Sequence, residues 1–178
     1  MAHITIVAHI DSVNSRQLTH RMREGVNSTG ALLTIMDADK VNYDALNRSN
    51  AIIFGCPTNM GGPSATFKAF MEETFTAFYQ QVFKNKLAAG FTYGAPYSGD
   101  KFHTIQALSN FAAMHSMHWI SQGDIRENEA ANVNMKINPL NSHLGNMSES
   151  VNDAYGQEFM ETAYYFGRRV GNVVNRFH

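Results

Sequence analysis

The chain has 178 residues, 44% of them apolar and 16% charged, with a formal net charge of -1. That is enough apolar material for one well-filled core and too little for two ordinary domains, so a single domain over 1–178 is expected. The mixed charge offers no field for a nucleic-acid backbone or an anionic membrane surface, and no stretch approaches the roughly 20 apolar residues of a membrane span. Met1 to Val13 lack the pattern of a secretory signal and Cys56 stands alone, so a cytoplasmic protein without disulfides is expected.

Ile4, Thr5, Ile6, Val7 and Ala8 form a short β-branched run, suited to a strand buried on both faces of a parallel sheet. Leu18, Met22 and Val26 then recur at helical spacing among Arg16, Arg21, Arg23 and Glu24, with Gly25 and Ser28 to Gly30 as the exit. Ala31 to Met36 has strand length and runs into the polar Asp37 to Lys40. Ala51 to Cys56 reads as the middle strand, stopped by Pro57, whose ring leaves no backbone donor. Ser64 is expected to cap one helix carrying Phe67, Phe70, Met71, Phe75 and Phe78. A fourth strand over Lys86 to Tyr93, a helix over Thr104 to His115 and a short fifth strand over Met117 to Ser121 follow. Gln122 to Ser150, rich in Asn and punctuated by Gly123, Pro139 and Gly145, reads as a long irregular excursion. A last helix is expected from near Ser150, three residues before Asp153, with Phe159, Ala163, Phe166, Val170, Val173 and Phe177 on one face.

Strands alternating with helices imply parallel strands joined by right-handed crossovers. The expected architecture is a three-layer α/β sandwich whose five-stranded parallel sheet has the order 2-1-3-4-5. In that topology a crevice opens at the carboxyl ends of strands one and three, where His9 to Ser15, Pro57 to Ala65 and Tyr93 to Lys101 converge.

The first of these segments opens directly into a helix, and the amino end of a helix offers unpaired N–H groups and partial positive charge. Ser12, Asn14 and Ser15 are therefore candidates for holding an anion, although the same residue types make an ordinary helix cap. In the second, Gly61 and Gly62 let backbone approach a planar ligand, while Thr58 and Asn59 add hydrogen-bonding groups and Met60 a soft apolar surface. Gly and Pro also simply make turns. In the third, Tyr93 or Tyr97 has the shape to cover a flat ring, or to pack.

Ala51-Ile-Ile-Phe-Gly-Cys-Pro-Thr58, continued by Met60-Gly61 and Ser64-Ala-Thr-Phe-Lys-Ala-Phe70, closely resembles the strand, flavin loop and helix of flavodoxin-like NAD(P)H:quinone oxidoreductases of the tryptophan-repressor-binding-protein type. Arg23-Glu-Gly-Val26, Leu87 to Tyr93 and His115-Ser-Met117 are similar to further segments of that family, so that most of Ile4 to Gln122 lies on its pattern. The resemblance implies a flavodoxin-like fold, bound FMN, NADH or NADPH as reductant and a small quinone-like acceptor. It places Ser12, Asn14 and Ser15 at the phosphate loop and Pro57, Thr58, Asn59, Met60 and Gly61 beside the flavin ring. Tyr93, Gly94, Ala95, Tyr97, Ser98 and Gly99 fall on the third flavin loop, and His115 where the family has a histidine at the pocket. Catalysis would be flavin-borne, with His115 as the one side chain suggested for a part in it. A homodimer or homotetramer is also implied.

Ile10 and Val13 stand where the family's phosphate loop has a small hydroxyl residue and a glycine, and Asp11 brings a carboxylate. Such a charge about 5 Å from a phosphate, at an effective dielectric of about 20, opposes binding by roughly 3 kcal/mol per phosphate charge. Weaker FMN binding than in typical members, or a reshaped loop, is expected. Two other functions fit the same residues: a one-electron flavodoxin-type carrier, which a net charge of -1 disfavours, and a binding module that has lost its flavin. His103, His115 and His118 lack the carboxylate spacing of a metal site and read as packed or solvated, and Cys56 as a buried small hydrophobe.

Overall fold

The computed structural model describes residues 2–95, 99–123, 137–151 and 154–178. The chain runs β1 (His3–Ala8), α1 (Val13–Asn27), β2 (Leu32–Asp37), α2 (Tyr43–Asn47), β3 (Ala51–Asn59), β4 (Gly62–Pro63) and α3 (Ala65–Glu73). It continues through α4 (Phe75–Tyr79), β5 (Leu87–Gly94), α5 (Lys101–Met114), β6 (His118–Trp119), β7 (Asn146–Val151), β8 (Ala154–Tyr155) and α6 (Gln157–Phe177).

The apolar runs make the centre of a flavodoxin-like sandwich. β1 pairs in parallel with β2 and β3, and β3 with β5, so the first four sheet positions follow the expected order. Alternation along each strand feeds two cores. Ile4, Ile6, Ile53, Ala89 and Phe91 face Leu18, Met22 and Val26 of α1 and Ala163, Phe166 and Val170 of α6. Val7, Ile52, Phe54 and Ala88 face Phe67 and Phe70 of α3 and Ile105, Leu108 and Phe111 of α5.

The edge departs from the expected five-stranded, all-parallel 2-1-3-4-5 sheet. Among the described residues the sheet has 8 strands along β2-β1-β3-β5-β7-β8, with β4 on β3 and β6 on β5. The fifth position is shared: β6 pairs with Leu87 and Ala88, and β7 pairs further along with Phe91 to Gly94. β7 then folds back on β8 in an antiparallel pair. The sequence reads β7 as irregular because its inward positions, Asn146 and Ser148, are small and polar; both are buried, and the Ser148 hydroxyl donates to Asn146 Oδ1 at 3.2 Å.

Four boundaries also differ. Pro57 lies within β3, opposite Tyr93, and does not stop it. Gly55, two residues earlier, accepts from His9 N on the β1 side, so by the alternation of a strand Pro57 turns its missing donor to that same side, beyond the end of β1. The helix expected from Ser64 to Phe78 breaks at Thr74, whose hydroxyl donates to Met71 O at 2.7 Å, and Phe75 is left 63% exposed. Gly25 sits inside α1 rather than at its exit. Ser150 belongs to β7, and α6 starts only at Gln157 behind Gly156; Asp153 lies outside the described residues. No described helix is long and apolar enough to cross a membrane.

Candidate functional site

Beyond the carboxyl ends of β1, β3 and β5 lies a cleft of ≈ 410 Å³ lined by Asp11, Ser12, Asn14, Pro57, Asn59, Tyr93, Gly94, Ala95, Ser150 and Tyr155. Its volume is in the range of small-molecule sites, about 300–1,000 Å³. Its walls come from all three segments expected to converge, and from a fourth, the β7–β8 hairpin, which contributes Ser150 and Tyr155.

The first wall is the start of α1. Ser12 caps the helix, accepting from Ser15 N at 3.1 Å, while the Ser15 hydroxyl accepts from Ser12 N at 3.0 Å. Ser15 is therefore a buried part of the cap, and Ser12 and Asn14 present the helix's amino end to the cleft. Asp11, just before the cap, is exposed on this wall, and Tyr93 ties it down: the Tyr93 hydroxyl donates a shared hydrogen bond to His9 O and, at 3.1 Å, to Asp11 Oδ1. Tyr93 is thus a buried strut between β5 and the first loop, with its ring stacked on Phe91 at 6.4 Å.

In the second wall only Pro57 and Asn59 line the cleft. The Thr58 hydroxyl turns inward to Thr92 and Thr104, at 2.8 Å from each. Met60 and Gly61 form the two-residue turn between β3 and β4, both at positive φ (50° and 80°), as a type I′ hairpin requires. Met60 is fully exposed there, and His103 Nδ1 lies 2.7 Å from Gly61 O. Neither Met60 nor Gly61 reaches the cleft wall.

The third wall is Gly94 and Ala95, steadied from behind by Lys101. Lys101 is 1% exposed, donates to Ala95 O at 2.6 Å and pairs with Glu149 of β7 at 2.9 Å, joining the third loop to the hairpin. Gly99 lies at the approach to α5, where its carbonyl accepts from Phe102 N at 3.3 Å, and is not among the described lining residues; Tyr97 and Ser98 lie outside the described residues. His115 is not brought to the cleft. It caps the carboxyl end of α5, a helix length of about 20 Å from Lys101, packed among Phe78, Phe83 and Phe111.

Burial, with the Asp11 carboxylate adding to it, pushes the hydroxyls of Tyr93 and Tyr155 well above the usual tyrosine range, so both stay protonated donors. Burial raises the Cys56 thiol to about 12 and leaves it inert at neutral pH. Ser150 and Tyr155 were hidden in the sequence by the polar character of β7; the one signal available was an aromatic next to Gly156 at the entry to the last helix.

Parallel sheet, flanking helices and a cleft at the carboxyl ends of β1 and β3 define a protein of the flavodoxin-like class. Residues 29–130 match the family of NADPH-dependent FMN reductases, and the chain belongs to that family. Flavodoxin FldP of Pseudomonas aeruginosa is 29% identical over 140 residues, 76% of each chain. An iron-sulfur flavoprotein of Methanocaldococcus jannaschii is 29% identical over 146 residues, 79% of this chain and 66% of its own length. The crystal structure of a flavodoxin, WrbA-like protein from Agrobacterium tumefaciens superposes over 100% of both chains with a TM-score of 0.79 and 28% identity. An archaeal flavodoxin, at 14% identity and a TM-score of 0.68, shares the fold. Membership carries a general redox role.

The volume of the cleft and the polar groups lining it are compatible with a flavin, the cofactor that the family's name carries. Proline, glycine and alanine leave a smooth surface for a flat ring, Asn59, Ser150 and Tyr155 supply polar groups at its margins, and the amino end of α1 closes one end. At that end the Asp11 carboxylate is a like charge towards a phosphate.

Proposed function

We propose that the chain, folded as one domain, holds FMN in this cleft and passes reducing equivalents from NADH or NADPH to a quinone or similar small acceptor. The observation that carries the reading is the convergence of three loops and the α1 amino end on one cleft of flavin size, in a chain of this family. FMN, when bound, supplies the hydride and electron-transfer chemistry. Ser12 and Asn14 would orient its phosphate through the helix end, and Pro57, Asn59, Gly94 and Ala95 would flank the ring. Tyr155 would cover the outer margin and keep its proton there. The Tyr93 strut and the Lys101–Glu149 pair hold the walls at a fixed separation, so that orientation costs little on binding. Tyr97, Ser98, Gly99, Met60 and Gly61 remain part of the proposed surround of the cleft, and His115 is left out of it.

The visible spectrum of freshly purified protein, before and after added FMN, tests the reading. Flavin bands that sharpen and shift on binding are expected, together with NADH or NADPH oxidation that depends on a soluble quinone. Protein that takes up no flavin at all would sink it. A one-electron carrier is the second reading, favoured by the similarity to flavodoxin FldP. Such a carrier would hold FMN yet oxidise no nicotinamide nucleotide without a separate reductase.

Self-association into a dimer or tetramer belongs to the same proposal. Its support is a run of exposed apolar side chains far from the cleft, in which Phe75 lies 4.8 Å from Tyr79 and Met114 is 63% exposed beside it.

A further inference from the structure

The amino end of a helix carries the equivalent of about half a positive charge, the feature that draws a phosphate to such a site. Asp11 immediately precedes the cap of α1 and lines the cleft, so a full negative charge more than cancels that half charge. The carboxylate is also anchored, because its Oδ1 lies 3.1 Å from the hydroxyl of Tyr93, a side chain only 5% exposed. Among the described residues lining the cleft none is basic, and Lys101 behind the third wall is paired with Glu149. The described lining at the phosphate end is therefore net negative, and what it offers a ligand is hydroxyls, an amide and a carboxylate that accepts hydrogen bonds.

Resting on the flavin reading above, we infer that the cleft selects flavins of low charge, taking riboflavin at least as well as FMN, with Asp11 as the specificity-determining residue. The hydroxyl that ends riboflavin's chain donates a hydrogen bond to the carboxylate that repels FMN's phosphate. A charge-assisted bond replaces a repulsion. The flavin held here is then exchangeable rather than locked in by its phosphate.

Titration of riboflavin and of FMN into the flavin-free full chain, followed by loss of flavin fluorescence, tests this. In the natural chain riboflavin binds at least as tightly as FMN, and FMN binding strengthens as ionic strength rises while riboflavin binding does not, since screening removes a repulsion. Asp11→Asn improves FMN relative to riboflavin by about tenfold or more. Tyr93→Phe, which releases the carboxylate to water without removing it, moves the ratio the same way by less. FMN binding tenfold tighter than riboflavin to the natural chain, or a ratio unmoved by Asp11→Asn, overturns the inference and leaves the flavin reading standing. Should Asp11→Asn fail to fold, FMN binding to the natural chain that weakens with salt overturns it equally. Failure of both flavins to bind overturns both.

Discussion

His115 shows how much one side chain's meaning depends on where a helix ends. Its Nε2 lies 3.0 Å from the Thr74 hydroxyl, whose own proton goes to Met71 O, so Nε2 carries the ring proton. Nδ1 is buried without a partner among Phe78, Phe83 and Phe111. Burial accordingly lowers its pKa from the ordinary histidine value of 6.5. Between the lowered value and about 6.5 the unfolded chain binds a proton that the folded chain refuses, so stability rises with pH through that window. The expected outcome is a urea midpoint that falls as pH drops below about 6.5, with a smaller fall in His115→Phe, measured by fluorescence across a pH series. The His115-Ser-Met117 likeness was legible in the sequence; that α5 carries this histidine away from the cleft was not. Asp11 is the converse case, since its charge was legible and its tether to Tyr93 was not.

At the scale of elements, α1 and α6 pack so closely that glycine decides the contact. A Cβ on Gly25 would overlap the Tyr164 carbonyl oxygen, and one on Gly167 would overlap that of Met22. In the sequence Gly25 looks like a helix exit, because glycine costs about 1 kcal/mol in a helix interior relative to alanine. The partner backbone that requires it lies more than a hundred residues away and leaves no local trace. Gly25→Ala therefore opposes two effects, a helix-propensity gain of about 1 kcal/mol and an overpacking cost against rigid backbone of about 1–3 kcal/mol. Because carbonyl oxygens cannot turn aside as side chains do, the cost wins. The expected outcome in urea unfolding is net destabilisation of up to about 2 kcal/mol, with Asn172→Ala on the exposed face of α6 changing stability by less than about 0.5 kcal/mol. A stabilised Gly25→Ala would show that the helices stand further apart. The break at Thr74 has the same kind of cause: the Phe67 to Phe78 periodicity runs on unbroken, while a hydroxyl turned to Met71 O ends α3.

For the whole molecule, the strand order through β5 was legible because apolar runs alternating with helical stripes leave few un-knotted ways to connect parallel strands. The divided edge was not, because β7 buries Asn146 and Ser148, residue types that a hydrophobic pattern assigns to loops. This edge also holds the single tryptophan, Trp119, on β6, whose Nε1 donates to Leu144 O at 2.7 Å. Its ring packs over Gly90, where a Cβ would meet the indole at 2.6 Å. Trp119 thus reports on the junction of β5, β6 and the excursion, while far-UV circular dichroism reports on helices on both faces. β1, β3 and β5 supply side chains to both cores, so neither core can be lost while the other keeps its sheet face intact. The expected outcome is coincident urea transitions by Trp119 emission and by circular dichroism, the signature of one cooperative unit. If the exposed Phe75, Tyr79 and Met114 are covered by a second copy, the shared midpoint also rises with protein concentration, and Phe75→Ser with Met114→Ser removes that dependence. An emission change well before the loss of helix would instead make the β6–β7 edge a separately melting unit, and the walls that β7 and β8 lend to the cleft would then be its least stable part.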